Sequence, residues 1–238
     1  MAGTGLGSFI QYAVMPPVLL LNRLQMAITA PEKYGVVAVG CELMQFWTTI
    51  EEDMLPIPVA NHALAGSSSA DLVSAVDFQV TDHEPRVVIY WGGSNDIARG
   101  ATPSQTAGGF TEFSELVLAK LPDAQILFIS ILRSPYQEGI EKGDDVDRTN
   151  ELTRKFCDSQ ERCTYLDINS IFQNGDGSAR KEMYQFFDRH NLTSYAYDEI
   201  SRVLQIVLKR LWDKAGGEAL EHLASREEEE MAGGEKEL

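Results

Sequence analysis

Short apolar runs alternate along the chain with longer stretches in which apolar residues recur at helical spacing. Runs such as RVVIYW and QILFISIL are typical of strands that are buried on both faces, as in parallel sheets covered by helices. The pattern predicts strands at Val36–Val39, Val59–Asn61, Arg86–Trp91, Gln125–Leu132 and Thr164–Asp167. It predicts helices at Val18–Thr29, Met44–Asp53, Ala70–Phe78, Thr106–Leu121, Val146–Asp158 and Tyr195–Trp212.

This alternation of strands and helices with short links predicts the fold class and the domain limits. We expect a single α/β domain with three α/β/α layers around a five-stranded parallel, flavodoxin-like sheet. That domain should span residues 33–213. Residues 1–32 form an apolar N-terminal segment and helix that is a candidate attachment, and residues 214–238 form an acidic tail that we expect to be disordered.

Composition and charge restrict the partners and the compartment. The net charge of −16 should repel phosphate backbones, so we expect no nucleic-acid partner. The three cysteines include no Cys-x-x-Cys pair, so a disulfide framework is not expected and a reducing compartment fits better. We therefore expect an intracellular, cytoplasmic protein. An organelle or the endoplasmic reticulum remains an alternative.

The apolar stretch Phe9–Leu21 has two interpretations. It is too short to span a bilayer, it is interrupted by Pro16 and Pro17, and it lacks the basic residues that begin a secretory signal. We expect it to pack on the body of the protein or on a partner. The alternative is contact with a membrane surface or a targeting role, including that of a cleaved leader.

Polar residues follow the predicted strands at their carboxyl ends, the edge where open α/β sheets place their sites. They stand in four segments: GCE after the first strand, NHALAGSSS after the second, GGSND after the third, and DRHN before the last helix. The first block, GCELMQFW, begins at Gly40 and ends at Trp47. The third ends in a G-x-N-D sequence from Gly93 to Asp96.

Taken in this order, the four blocks resemble the SGNH (GDSL-type) hydrolase superfamily, particularly its branch of platelet-activating-factor acetylhydrolase catalytic subunits. The resemblance covers roughly residues 33–213. It implies that the Gly66 N–H and the Asn95 side chain form an oxyanion hole, and that Asp188 is the acid that orients the base. It also places Glu42 at the position of the nucleophilic serine and Asn191 at that of the histidine.

These two departures predict that ester hydrolysis has been lost. A carboxylate cannot replace the activated serine hydroxyl, and an amide cannot accept a proton near neutral pH. We therefore expect a pseudoenzyme that acts as a binding or assembly component, with a protein partner or a second copy of the chain and with no cofactor. The alternative is an active ester or acyl hydrolase with relocated catalytic groups, acting on a small ester, an acetylated lipid or an acetylated sugar.

Neighbouring residues define the open alternatives. His190 is a candidate substitute base, although we expect its ring to point to solvent. Ser67, Ser68 and Ser69 are candidate nucleophiles, but serines before a helix usually cap it. Cys41 is a candidate thiol nucleophile for which packing is favoured, and His62 is expected to be structural.

The Glu42 carboxylate supports a further hypothesis. It is predicted to reach the oxyanion hole, accept hydrogen bonds from Gly66 and Asn95, and so fill the pocket from within. A Mg²⁺ or Ca²⁺ site formed by Glu42, Asn95, Asp188 and His190 is the alternative use. Nothing in the spacing requires a metal, and none is expected.

Overall fold

The computed structural model describes residues 35–187 and 189–217, and its centre is one parallel sheet. The strands are β1 (Val36–Gly40), β2 (Val59–Asn61), β3 (Val87–Trp91), β4 (Gln125–Ile129) and β5 (Cys163–Leu166). They are arranged in the order β2-β1-β3-β4-β5, and every pair is parallel. The carboxyl ends of all five strands therefore lie at the same edge of the sheet.

Helices cover both faces of this sheet. They are α1 (Glu42–Gln45), α2 (Ile50–Asp53), α3 (Ser69–Gln79), α4 (Ser94–Ala98), α5 (Pro103–Lys120), α6 (Pro135–Gly139), α7 (Gly143–Asp158) and α8 (Ser194–Lys214). The described residues also contain short 3₁₀ turns at Thr81–His83, Asn169–Phe172 and Lys181–Met183. The connections from strand to helix form the loops at the carboxyl edge.

Alternate residues of the central strands enter two separate cores, which is why their apolar runs are continuous. On one face, Val87, Ile89 and Trp91 of β3 pack with residues of α1, α2 and α8. On the other face, Val88 and Tyr90 pack with residues of α3, α5 and α7. This is the predicted three-layer α/β/α architecture with its five-stranded parallel sheet.

One predicted helix is wrong. The expected helix Met44–Asp53 is two short helices, α1 and α2, separated by the turn from Phe46 to Thr49. The Asn61 side chain explains the break, because its Nδ2 donates to the carbonyl oxygen of Met44 at 2.8 Å and is also near that of Trp47. A side chain from β2 therefore donates to a carbonyl group that would accept a backbone hydrogen bond in a longer helix.

No disulfide framework was expected from the sequence, and one pair of cysteines departs from that expectation. Cys157 in the last turn of α7 and Cys163 at the start of β5 form a disulfide, with their Cα atoms 4.7 Å apart. The short reversal between α7 and β5 returns the chain to the neighbouring strand, and this brings the two side chains together. The sequence pattern did not reveal this proximity, because the cysteines lack a recognised spacing.

Other predictions concern residues that the structure does not describe. The predicted helix Val18–Thr29, the segment Phe9–Leu21 and most of the acidic tail lie outside the described residues. The domain limits at residues 33 and 213 therefore stay a prediction. Within the described part of the chain, no helix combines the length and the apolar character needed to cross a membrane.

Candidate functional site

The turn after β1 sets the position of Glu42. The Cys41 N–H donates to the carbonyl oxygen of Trp91 at 3.0 Å, and the Gly40 carbonyl accepts the N–H of Leu64 at 3.0 Å. These bonds join the turn to β3 and to the loop after β2. Glu42 is therefore the first residue of α1, at the carboxyl edge of the sheet. Its side chain lies beside the loops that follow β2 and β3.

The Glu42 carboxylate occupies the space between the two groups that the sequence analysis placed in an oxyanion hole. Its Oε2 accepts the Gly66 N–H at 3.2 Å and an N–H of the Asn95 side chain at 2.8 Å. The second hydrogen of the Asn95 amide is directed to the Ser67 carbonyl at 3.2 Å. Both predicted contacts of Glu42 are therefore present, and they bring together three of the candidate residues.

The expectation that His190 points to solvent is wrong. Its Nε2 lies 2.8 Å from Glu42 Oε1, and the two side chains are largely buried. Its Nδ1 lies 3.5 Å from the Ser134 hydroxyl, and its ring packs at 5.4 Å from that of Tyr136. The physical reason is a backbone turn that includes Arg189 at a φ of 55° and directs the next side chain inward. The imidazole of the site therefore comes from position 190.

The surroundings of Glu42 keep it ionised. Burial alone would raise the pKa of this carboxyl, but hydrogen bonds from His190, Asn95 and the Gly66 N–H outweigh burial and lower the pKa from 4.5 to about 2. A carboxylate of so low a pKa accepts hydrogen bonds, so the proton between it and His190 belongs to Nε2. Because the folded pKa is depressed, the carboxylate stabilises the fold above pH 4.5, and this contribution is lost as the pH falls toward 2.

Helix α6 contributes residues that the sequence analysis missed. Ser134 caps this helix by accepting the Gln137 N–H, and Pro135 occupies its first turn. The Ser-Pro pair was the available signal, since serine at the cap and proline in the first turn are common at helix starts. The helix places Tyr136 and Gln137 beside His190, as part of the wall of a cavity.

A cavity of about 430 Å³ opens above Glu42. Its lining combines the carboxylate with polar side chains and two half-exposed aromatic rings, Phe46 and Tyr136. The complete lining consists of Glu42, Phe46, Ser94, Asn95, Ala98, Tyr136, Gln137, His190 and Asn191. This volume lies within the range of small-molecule sites.

The remaining candidate nucleophiles have structural surroundings. Burial raises the pKa of the Cys41 thiol to about 12, and the neighbouring Glu42 charge acts in the same direction. Ser68 caps α3 through a reciprocal capping box with Asp71, whereas the backbone and hydroxyl of Ser69 donate to Asp96. Ser67 is buried, and its backbone carbonyl accepts a hydrogen bond from the Asn95 side chain. The capping interpretation therefore holds for Ser68, whereas Ser67 and Ser69 make other structural contacts, and the buried Cys41 fits the packing interpretation.

His62 lies away from the cavity. It is buried, and its Nδ1 is 2.7 Å from the Gln79 carbonyl oxygen, to which it donates. Burial lowers the pKa of His62, which favours the neutral form of the ring. The expected structural role fits these contacts.

Asn191 and Asp188 are the two remaining predicted site residues. Asn191 lines the cavity next to His190, and its backbone carbonyl accepts the Gln185 N–H at 2.8 Å. Asp188 lies outside the described residues, so its role as the orienting acid and its part in the alternative metal site stay predictions. Among the residues that are described, no three His, Cys, Asp or Glu side chains group together to hold a metal ion.

Comparison with protein families gives one match, which contains the first three blocks of the site. The model of the GDSL-like Lipase/Acylhydrolase family matches residues 39–187, more than half of the chain. The match ends just before the segment that contains His190. Comparison with curated protein sequences found no match.

Solved structures with the same fold come from several bacteria. A candidate platelet activating factor from Streptococcus pneumonia is 16% identical, with a TM-score of 0.71, and the match covers 81% of this chain and 91% of that one. A candidate acylhydrolase from Bacteroides fragilis is 17% identical, with a TM-score of 0.71 and coverage of 83% and 100%. A GDSL-like lipase from Bacteroides thetaiotaomicron is 14% identical, with a TM-score of 0.67 and coverage of 79% and 98%. At these identities the likeness concerns the fold.

Proposed function

Because the chain belongs to the GDSL-like lipase/acylhydrolase family, we propose that it is a member that has lost ester hydrolysis and acts as a binding or assembly component. Its partner would be a small ligand in the site, another protein or a second copy of the chain. The proposal rests on the chemistry of the residues that occupy the family's site in this chain.

The observation that carries the proposal is the position of the Glu42 carboxylate. An ester is hydrolysed in this fold when its carbonyl oxygen enters the oxyanion hole and receives hydrogen bonds as negative charge develops on it. Here Glu42 Oε2 already accepts those bonds from Gly66 and Asn95. The carboxylate is ionised and attached to the chain, so a neutral carbonyl oxygen competes poorly for the same donors.

Glu42 is also poorly suited to replace the serine as a nucleophile or to act as a base. A carboxylate with a pKa of about 2 has little basicity near neutral pH, and nucleophilicity falls with basicity. Its other oxygen, Oε1, faces His190. The imidazole is thereby engaged with a carboxylate in place of a hydroxyl that it could activate.

A second candidate function, hydrolysis by relocated groups, is favoured by one observation. Ser134, His190 and Glu42 follow each other at 3.5 Å and 2.8 Å, in the order of a serine, histidine and acid triad. Ser134, however, is completely buried and accepts the Gln137 N–H as a helix cap. A substrate carbonyl carbon would have no access to its oxygen, so we favour the loss of hydrolysis.

Turnover of p-nitrophenyl acetate tests the proposal. Wild-type protein at high concentration should release p-nitrophenol no faster than the Asn95→Ala and Ser134→Ala variants, because none of the three has a working nucleophile. Saturable wild-type turnover that Asn95→Ala abolishes would contradict the loss of hydrolysis. If Ser134→Ala also abolished it, the nucleophile would be Ser134.

A further inference from the structure

The charge of the cavity above Glu42 distinguishes it from a site for an ester or an anion. Three donors at its floor, the Gly66 N–H, the Asn95 amide and the His190 Nε2–H, are directed to the Glu42 carboxylate. An anionic ligand would therefore be repelled by the Glu42 charge, and the three groups that could donate hydrogen bonds to it already donate to Glu42. A cation would meet a fixed charge of opposite sign, partly screened from solvent.

The walls of the cavity add surfaces that cations favour. Phe46 and Tyr136 line it and remain 48% and 41% exposed, which leaves part of their ring surface open to a ligand. The faces of aromatic rings carry partial negative charge and attract organic cations, and such attraction grows when the cation is shielded from water. A carboxylate combined with aromatic walls is therefore suited to a cation that also has apolar surface.

Gln137 adds a further negative dipole to the lining. Its side chain is completely buried, its Nε2 is directed to the Ser94 carbonyl at 3.3 Å, and its Oε1 has no hydrogen-bond partner among the described residues. Buried carbonyl oxygens usually have a partner, so this oxygen leaves a partial negative charge uncompensated close to the cavity.

We infer that this cavity binds a small organic cation, of the alkylated ammonium class, between the Glu42 carboxylate and the rings of Phe46 and Tyr136. The inference rests on the proposed function, because it requires Glu42 to remain in place as an ionised carboxylate. It goes further by naming the charge and the chemical class of the ligand. The cavity volume of about 430 Å³ accommodates an ammonium group with several alkyl substituents.

Titration of the full chain with tetramethylammonium chloride, followed by ¹H–¹⁵N NMR, tests this inference. Saturable shifts are expected for the backbone amides of Phe46, Ala98 and Tyr136. Sodium chloride at the same ionic strength and tert-butanol, an uncharged molecule of similar shape, should not produce them. The cation–aromatic part of the attraction corresponds to roughly a threefold to thirtyfold effect on the dissociation constant.

Two substitutions with matched controls separate the contributions. Glu42→Gln keeps an acceptor for Gly66 and Asn95 but removes the charge, and should weaken binding by about tenfold or more. Glu52→Gln removes an exposed charge from α2 and should leave binding unchanged. Tyr136→Leu should weaken binding, whereas Tyr195→Leu removes a ring that is 42% exposed outside the cavity and should not.

The outcomes distinguish this inference from the proposed function. Absence of tetramethylammonium shifts, or shifts that survive Glu42→Gln, would overturn the cation site whatever the result with esters. Ester turnover by the wild-type chain would overturn the proposed loss of hydrolysis even if the cation bound. A ligand site specific for tert-butanol would identify the cavity as apolar and would also overturn the inference.

Discussion

Replacing Glu42 by serine and Asn191 by histidine is expected to give the protein measurable esterase activity. The first change removes the carboxylate that accepts the bonds of Gly66 and Asn95 and introduces a hydroxyl. The second adds an imidazole to the cavity wall, at the position where the family resemblance places the base and next to the His190 ring that already contacts Glu42. Loss of triad members reduces turnover by several orders of magnitude in other serine hydrolases, so recovery of even a small part should be visible. We expect p-nitrophenyl acetate turnover about a hundredfold or more above that of the wild type.

The single variants and one triple variant show whether the gain comes from the intended site. Glu42→Ser alone should turn over the ester more slowly than the double variant. The serine oxygen is two bonds closer to the backbone than the Glu42 oxygen that His190 contacts at 2.8 Å, so the His190 ring would not reach it as well. Adding Asn95→Ala to the double variant should remove most of the gain, since one oxyanion donor typically contributes about a hundredfold to a thousandfold. A folded double variant with no turnover, or turnover insensitive to Asn95→Ala, would contradict this account of the oxyanion hole.

Gly40→Ala should destabilise the fold by more than about 4 kcal/mol, a loss typical of severe backbone conflicts. Gly40 has a φ of 155°, and a Cβ added there would lie 2.0 Å from the carbonyl oxygen of Trp91. That carbonyl is part of the backbone of β3 and also accepts the Cys41 N–H, so it cannot move without breaking the junction that positions Glu42. Urea unfolding of the wild type and the variant measures the loss, and failure to obtain folded variant protein is the extreme form of the same result.

Gly108→Ala is the matched control for that substitution. Gly108 lies inside α5, and an added Cβ meets nothing within 4 Å. Alanine in the interior of a helix is favoured over glycine by about 0.5–1 kcal/mol, so this variant should be slightly more stable. A Gly40→Ala variant as stable as Gly108→Ala would show that the close approach of β1 and β3 does not constrain the turn.

The fold was predictable because its signals are local and repeated. The continuous apolar runs of β3 and β4 indicated burial on two faces, and the structure places their alternate residues in two cores. The break between α1 and α2 was not predictable, since it depends on Asn61, which reaches carbonyl groups from a different strand. The same limit applies to Cys157 and Cys163, whose pairing depends on how the chain returns from α7 to β5.

The site was predictable in part for a similar reason. Glu42, Gly66 and Asn95 follow strands of the same sheet, so their convergence follows from strand order alone. His190 was a candidate substitute base, but its ring was expected to point to solvent because counting along the family pattern selected Asn191 for the base position. Which of two neighbouring side chains enters a pocket depends on the local backbone turn. Here the turn includes Arg189 in a left-handed conformation, which no residue pattern indicated. Tyr136 and Gln137 were missed with helix α6.

The pKa of the Glu42 carboxyl tests the central claim, that this side chain fills the oxyanion hole, most directly. It can be measured by ¹³C NMR of glutamate-labelled protein during an acid titration, with Glu42→Gln used to assign the resonance. The account predicts that Glu42 stays ionised well below pH 4.5, with a pKa of about 2, and that Asn95→Ala raises this pKa. A pKa near 4.5 that Asn95→Ala does not change would contradict it, because the carboxylate would then lack the hydrogen bonds on which the proposed function depends.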